Sequence, residues 1–424
     1  MASKRLVAAA ACLLLATEVY CFSAFPIQNL RSQTSRLMST SSSFNENENG
    51  PENLEEAMTN HGSLSEGGLW GRRDLLKAAG VGAAAAVASI LGLPENVLAE
   101  GPKKTVVITG ANSGVGLTGA RQLVESGHDV FLACRTLKKA KTAAEQTGAA
   151  GYFECDLSSL ESVRKFAKDW DNTAIDALCL NAGMAPNTKG SPKFTDAGFE
   201  ETIGVNHLGH FLLANLLLKN LESSSLPQPR LVVTASSVHD PDQPGGDVGS
   251  TATLGDLSGL KGWLDTGKFE MVDGNAYDGD KAYKDSKLCN VLFTEECQRR
   301  LDANGSKVTV NCFSPGLIPS TGLFRNQNPL FTKAFDIATS AAGVATTAEA
   351  GGTCLSYMVT SSEIDSIKGK FFATQPGKPK SPFAEFPVSK EAQDMEKAKE
   401  LWKLSAQLVN IWKNDVSIGN DILW

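Results

Sequence analysis

The chain has 424 residues, of which 42% are hydrophobic and 21% are charged, and its formal net charge is −7. This composition is typical of a soluble globular protein and excludes a disordered chain or a collagen. Forty basic residues against 47 acidic ones exclude a strongly basic nucleic-acid-binding protein. Length alone predicts two or three domains, so the first question is how much of the chain folds.

The first hundred residues have the composition of targeting segments. Two basic residues, an Ala/Leu-rich run and then small residues predict a secretory signal over residues 1–24. Residues 25–71 begin rich in Ser, Thr and Arg, as in a plastid transit peptide, and continue as an acidic, polar linker. A signal cut just before Phe25 resembles the bipartite plastid presequences of algae with complex plastids. A generic secretory leader with a Ser-rich linker is the alternative.

A further targeting pattern covers residues 72–99. Arg72 and Arg73 precede an uncharged Ala/Gly-rich stretch that ends in small residues at Val97-Leu98-Ala99, which resembles a twin-arginine signal. A helix that docks on a membrane is the alternative. The leader therefore predicts a plastid protein associated peripherally with the thylakoid, on its stromal or lumenal side, and leaves residues 100–424 for the fold.

Cysteine and histidine do not predict a metal site. Seven of the nine cysteines lie beyond the leader, mostly in apolar runs and without a C-x-x-C pair, so we expect buried free thiols. His207 and His210 are three residues apart on a predicted helix, but no third ligand accompanies them.

From Lys103 onward, short apolar strands alternate with amphipathic helices. This pattern predicts an α/β fold with one doubly wound parallel sheet, covered by helices on both faces. A C-terminal helix over about 390–412 is expected to pack on the domain, with contact to a partner or membrane as the alternative. Strands are predicted at 105–109, 129–134, 152–157, 174–180, 230–235 and 307–313, and the other helices at 116–126, 136–146, 160–170, 199–221 and 283–301.

A glycine-rich turn joins the first strand to the first helix. Glycines allow a tight turn and a close approach of a pyrophosphate to backbone N–H groups, and the helix N-terminus adds its positive end. This arrangement predicts a Rossmann-type dinucleotide site. Its predicted residues are Gly110, Ser113, Gly114, Val115 and Gly116.

The ends of later strands extend this cofactor site. Arg135 follows the second strand, where an NAD-dependent enzyme normally carries an acid, so NADPH is predicted through the 2′-phosphate. Lys138 and Lys139 are expected at the surface, and one of them, assigned here to Lys138, can screen that phosphate. At the third strand, Asp156 is placed near the adenine. The remaining predicted contacts are Leu157, Asn181, Ala182, Gly183, Pro315 and Gly316, together with Tyr283 and Lys287.

Four residues form the candidate catalytic set. Tyr283 and Lys287 lie four apart on one helix and so share a face. A nearby ammonium lowers the pKa of a phenol, which is otherwise near ~10. Ser237, after the fifth strand, is predicted to hydrogen-bond a reacting group, and Asn206 to anchor a proton-relay water.

This set resembles the short-chain dehydrogenase/reductase family across residues 103–375. The insertion between Ser237 and Tyr283 is similar to that of the light-dependent NADPH:protochlorophyllide oxidoreductases, above all in the run Tyr277–Asn290. The stretch Val205–Phe211 resembles the same group, as does Thr321–Arg325. The resemblance extends to about residue 412.

The resemblance implies a light-driven reduction of protochlorophyllide. In that chemistry NADPH gives a hydride to C17 of the pigment, and a proton reaches C18, for which Tyr283 is the matching donor. Lys287 would position the cofactor and tune Tyr283. The resemblance implies a tetrapyrrole substrate, and a homo-oligomer is a separate expectation that no motif specifies.

Three positions depart from the family pattern. Leu317 replaces a cysteine after Pro-Gly, Ala185 follows Met184 where the family has a tyrosine, and Ser237 stands where a threonine is usual. One alternative is therefore a short-chain reductase of another plastid pigment or lipid alcohol or ketone. A non-catalytic NADPH- or pigment-binding scaffold is the other, although the complete Ser/Tyr/Lys/Asn set argues against it.

Overall fold

The computed structural model describes residues 88–89, 91–92, 101–171, 173–324, 326–327 and 329–409. The signal predicted at 1–24, the transit peptide and linker at 25–71, and most of the segment at 72–99 lie outside these residues. The end of the predicted C-terminal helix, from residue 410 onward, also lies outside them.

One sheet organises the described chain. Its strand order is β3-β2-β1-β4-β5-β6-β7-β8, in which β8 alone among the described strands pairs antiparallel with its neighbour. The predicted doubly wound parallel sheet is thus confirmed, and β7 and β8, which extend the sheet beyond β6, are additions. The strands are β1 (Thr105–Thr109), β2 (Asp129–Cys134), β3 (Gly151–Glu154), β4 (Ala177–Leu180), β5 (Arg230–Thr234), β6 (Thr309–Phe313), β7 (Phe371–Ala373) and β8 (Ala384–Glu385).

Helices cover both faces of this sheet, and several begin at side chains that cap them. Thr136, Ser159 and Asp278 each accept a hydrogen bond from the first turn of the helix that follows. The helices are α1 (Gly114–Glu125), α2 (Leu137–Thr147), α3 (Leu160–Asp169), α4 (Glu201–Ile203), α5 (Gly209–Glu222), α6 (Ser258–Thr266), α7 (Gly279–Ala303), α8 (Pro329–Ala341), α9 (Ala348–Thr360) and α10 (Met395–Leu408).

Two predicted elements differ from the structure. The helix expected at 199–221 is interrupted by a π-helical turn, Gly204–Leu208, between α4 and α5. β3 ends at Glu154, so Asp156 and Leu157 lie in the loop after the strand. Single π-helical turns often occur at functional sites.

β1 pairs with β4 on one side and with β2 on the other. From β1 the chain therefore builds the sheet first toward β3 and then, from β4 onward, in the opposite direction. In open α/β sheets, ligands bind beyond the carboxyl ends of the strands at such a switch point. Thr109, the last residue of β1, holds this edge together because its hydroxyl accepts hydrogen bonds from the backbone N–H of Asn181 at 2.9 Å and of Ala182 at 3.0 Å.

The C-terminal helix packs on the domain, as expected. Trp402 of α10 stacks on Phe293 of α7 with ring centroids 5.7 Å apart, and it meets Phe211 of α5 edge-on at 4.8 Å. Its buried side chains join one large hydrophobic cluster between these helices and the sheet. Consistent with the sequence, the seven cysteines from Cys134 to Cys354 are free and buried.

A short piece of the predicted targeting segment also contacts the domain. Ala88 and Leu91 are buried in a second hydrophobic cluster that includes Phe383. The carbonyl of Leu91 accepts the backbone N–H of Phe383 at 2.9 Å. Among the described helices, none has the length and apolar character needed to cross a membrane.

Candidate active site

The turn after β1 forms the first wall of a cleft. Gly110 has φ +66°, and a Cβ there would lie 2.7 Å from the Cα of Ala182. A Cβ on Gly116 would lie 2.9 Å from the carbonyl oxygen of Gly110. Only glycine fits either position, so the turn stays tight against Asn181, whose side-chain N–H donates to the carbonyl of Thr109 at 2.9 Å.

The N-terminus of α1 opens into this cleft. Ser113, in extended conformation, precedes the helix and makes no capping hydrogen bond with its side chain. It lines the cleft together with Gly114 and Val115. The free N–H groups of the first turn and the helix dipole therefore face a cavity, which is the arrangement that binds phosphate groups.

Positive charge borders the same end of the cleft. Arg135, exposed just after β2, and Lys139, in the first turn of α2, both line the cavity. Lys138 is not among the lining residues. Of the two lysines considered from the sequence, Lys139 therefore borders the cleft, whereas Lys138, the one assigned to the phosphate, does not.

Residues predicted after the later strands also border the cleft. Asp156 and Leu157 border it from the loop after β3, and Asp156 accepts hydrogen bonds from the hydroxyl and N–H of Ser158 at 2.7 and 3.0 Å. The other predicted residues lining the cavity are Asn181, Ala182, Gly183, Pro315 and Gly316.

Tyr283 and Lys287 meet on the inner face of α7. The Lys287 ammonium lies 5.7 Å from the centre of the Tyr283 ring and donates to the carbonyl of Thr234 at 2.9 Å. Both residues line the cleft. Lys287 is buried, whereas Tyr283 is half-buried at the cavity wall.

The serine beside Tyr283 is Ser236. Its side chain hydrogen-bonds the phenol of Tyr283, and it lines the cleft with Thr234 and Ala235. Ser237, the predicted residue, begins a 3₁₀ turn and is not among the lining residues. The backbone at Ser236 is extended, and successive side chains of an extended chain point in opposite directions. A shift by one residue therefore decides whether a side chain points toward the cleft or away from it. The prediction of Ser237 is therefore corrected to Ser236.

Burial dominates the protonation of this pair. It lowers the pKa of Lys287 to about 8. It raises the pKa of Tyr283 to about 12, an effect that the hydrogen bond from Ser236 opposes. The expected lowering of the Tyr283 pKa by Lys287 is not seen, since burial and Ser236 set that pKa and the Lys287 ammonium is directed to the carbonyl of Thr234. The phenol is thus protonated at neutral pH and available as a donor.

Asn206 lies in the π-helical turn and is fully buried. Its side-chain oxygen accepts the N–H of Met184 at 2.9 Å, and its N–H₂ group donates to the carbonyl of Met184 at 2.9 Å and the hydroxyl of Ser286 at 3.0 Å. Asn206 does not line the cleft, and these bonds leave no amide hydrogen for a relay water. It holds the loop after β4 against the turn of α7 that carries Lys287.

The two histidines of this region contact different elements. His207 hydrogen-bonds the hydroxyl of Ser405 in α10 at 2.8 Å, and His210 hydrogen-bonds the hydroxyl of Thr109 at 2.9 Å. Burial lowers the pKa of each imidazole to about 3. Both rings therefore stay neutral, and they tie α5 and the π-helical turn to the core.

Acid is expected to destabilise the protein through these histidines. Their pKa is about 3 in the fold and near ~6.5 in an unfolded chain. Between these values the unfolded chain binds more protons, so stability is present above pH ~6.5 and is lost as the pH falls through that window. Each pH unit costs up to about 1.4 kcal/mol per histidine.

Urea unfolding at pH 7.5 and pH 5 measures this loss. The His207→Gln variant, whose amide can still bond Ser405, should lose less stability between the two pH values than the unchanged chain does. An equal loss in both proteins would contradict the assignment.

A second cavity adjoins the cleft, and Met184 and Glu201 border both. Its walls come from the loop after β4, the start of α4, Tyr277 before α7, and Asn326 after β6. The side chain of Asn326 donates to the carbonyl of Ala185 at 2.9 Å, which closes the loop over this space. A substrate placed here would lie next to the nicotinamide end of a dinucleotide.

The sequence missed several residues that line the cleft. For most of them no local pattern exists, because they reach the cavity only through tertiary packing. For Ser236 the available signal was its position next to Ser237 in the same motif. The missed lining residues are Asn112, Cys155, Ser158, Met184, Glu201, Val205, Thr234, Ala235, Ser236, Ile318, Thr321, Gly322 and Leu323.

Comparison with known proteins agrees with this geometry. Residues 104–250 match the family model for short chain dehydrogenases. A solved structure of an uncharacterised protein from Mycobacterium paratuberculosis matches with a TM-score of 0.54 and 30% identity, over 74% of this chain and 97% of that one.

Curated relatives match along most of their length. The chloroplastic protochlorophyllide reductase of Cucumis sativus is 40% identical over 318 residues, covering 73% of this chain and 78% of the relative. The protochlorophyllide reductase of Avena sativa is 40% identical over 324 residues, covering 72% of this chain and 99% of the relative. Together with the cleft, these matches show that the chain belongs to the protochlorophyllide reductase family of short-chain dehydrogenases.

Proposed function

We propose that this protein reduces protochlorophyllide to chlorophyllide with NADPH and light, in chlorophyll biosynthesis. The observation that carries the proposal is the juxtaposition of Tyr283, Lys287 and Ser236 with a dinucleotide cleft and an adjoining second cavity. The chain is 40% identical to proteins named protochlorophyllide reductase, which supports protochlorophyllide as its substrate.

The residues of the cleft fit NADPH. Gly110 and Gly116 let the turn after β1 pack directly on Ala182 and Asn181, and the N-terminus of α1 supplies phosphate-binding N–H groups. Arg135 and Lys139 supply the positive charge that a 2′-phosphate requires. When bound, NADPH would supply a hydride to the pigment.

The protein's own groups place and protonate the substrate. Tyr283 keeps its proton at neutral pH and can donate it from the phenol oxygen to a carbon that develops negative charge beside the cleft. Ser236 holds that phenol by a hydrogen bond. Lys287, fixed by the carbonyl of Thr234, is placed to hold a nicotinamide ribose.

The location of the protein forms part of the proposal. Several relatives are named chloroplastic, which agrees with the plastid leader in this sequence. We extend this to a complex plastid of an alga, with peripheral association at the thylakoid and a homo-oligomeric state. The twin-arginine-like segment at 72–99 supports the proposed association with the thylakoid.

Illumination tests the function directly. A chain containing residues 80–424 is mixed with NADPH and protochlorophyllide, and the absorbance is followed before and after a light flash. The proposal predicts a red-shifted chlorophyllide band after the flash and no change in the dark. Absence of this band, under conditions where an oat or cucumber relative forms it, would contradict the proposal. Dark turnover of another ketone or alcohol would then indicate the alternative substrate class.

A further inference from the structure

Tyr277 lies at the end of the insertion and borders the second cavity. Its ring is half-buried. Within the described chain, no hydrogen bond is found for its hydroxyl, which is therefore available to bond a ligand in place of water. A phenol that faces a cavity with an unused hydroxyl is suited to bind a ligand there.

The backbone on the N-terminal side of Tyr277 is fixed by an ion-pair network. The Lys281 ammonium contacts Asp273 at 3.0 Å and Asp285 at 2.5 Å, and it donates to the carbonyl of Thr253 at 2.6 Å. Asp273 and Asp285 are buried. Because Asp273 and Thr253 belong to the insertion and Asp285 to α7, this network fastens the insertion to the catalytic helix.

The C-terminal side of Tyr277 is fixed by the cap of α7. Asp278 accepts the backbone N–H groups of Asp280 at 2.9 Å and Lys281 at 3.1 Å. At Gly279 a Cβ would lie 3.1 Å from the carbonyl oxygen of Asn187, so the start of α7 packs directly on the loop after β4. Tyr277 is thus held at the cavity wall from both sides.

We propose that Tyr277 binds the substrate, by donating its hydroxyl hydrogen to a carbonyl or carboxylate oxygen of a flat, apolar ring system in the second cavity. Lys281 is a positioning residue that acts through Tyr277. This inference rests on the proposed function, because it places the substrate of that reaction in the second cavity.

The environment of Tyr277 fits a binding role better than proton transfer. Burial and the carboxylates of Glu200, Asp278 and Glu201 raise the pKa of its phenol well above the ordinary value. The hydroxyl therefore stays protonated and serves as a hydrogen-bond donor. Tyr283, which lines the cofactor cleft itself, remains the proton donor.

Titration of the protein with protochlorophyllide in the dark tests the role of Tyr277. The Tyr277→Phe variant removes one hydroxyl and should weaken pigment binding about three- to tenfold, the value of one hydrogen bond. NADPH binding, followed by nicotinamide fluorescence, should not change. Tyr152→Phe, an exposed tyrosine on β3 that borders neither cavity, is the matched control and should bind the pigment as the unchanged chain does.

A double-mutant cycle tests the role of Lys281. Lys281→Met should weaken pigment binding on its own but add nothing in the Tyr277→Phe background, since it acts through that hydroxyl. Lys281→Arg, which keeps the charge, should restore part of the loss. Unchanged pigment binding in Tyr277→Phe would overturn the assignment of Tyr277. Equal losses from Lys281→Met in both backgrounds would overturn the positioning role. Failure of the proposed function differs from both outcomes, because the unchanged chain itself would then form no chlorophyllide.

Discussion

The Tyr283→Phe variant is expected to lose about 10²- to 10⁴-fold in the rate of product formation, the usual contribution of a positioned acid. The substitution removes the phenol hydroxyl and leaves the ring and Lys287 in place. Single-turnover absorbance after a flash measures the rate, and nicotinamide fluorescence should show that NADPH still binds. Full activity in this variant would remove the proton-donor role.

The two adjacent serines provide a matched control for this site. Ser236 bonds the phenol of Tyr283, whereas Ser237 lies in the turn and does not line the cleft. Ser236→Ala should therefore slow the reaction and Ser237→Ala should not. The reverse result would contradict the role proposed for Ser236.

The Arg135→Ala variant is expected to bind NADPH about 10- to 100-fold more weakly, because a charge-assisted contact to a phosphate contributes roughly 1.5–3 kcal/mol. Binding of NADH, which lacks the 2′-phosphate, should change little. Arg135 is exposed at the cleft edge, so the fold should tolerate its loss. Isothermal titration with both cofactors measures the change in selectivity.

The neighbouring lysines serve as the control for this prediction. Lys139 lines the cleft and Lys138 does not. Lys139→Ala should weaken NADPH binding, and Lys138→Ala should leave it unchanged. A chain that prefers NADH, or that loses both cofactors equally in Arg135→Ala, would contradict the 2′-phosphate assignment.

Sequence patterns predict the parts of this protein that are set by local periodicity. The alternation of apolar strands with helices predicts six strands of the described sheet with small errors at their ends, and the glycine-rich turn predicts the phosphate end of the cleft. β7 and β8 were not predicted, since they have three and two residues and lack a periodic pattern. The π-helical turn was also missed, because its sequence continues the helical pattern on both sides.

The errors at the site have a common physical origin. Choosing between Ser236 and Ser237, or between Lys138 and Lys139, requires the direction of each side chain, which depends on where a strand or helix ends. Tyr277 belongs to the second cavity only because Lys281 and the cap of α7 fasten the insertion there. Contacts of this kind join residues far apart in sequence, and no local pattern reveals them.

The origin of the transferred hydrogen shows whether NADPH is the hydride donor in a light-driven reduction. NADPH carrying deuterium at the transferable C4 position is bound with protochlorophyllide, the mixture is illuminated, and the product is examined by mass spectrometry. We expect chlorophyllide with one deuterium, formed only after light. A product without deuterium, or no chlorophyllide from a protein that binds both NADPH and pigment, would contradict it.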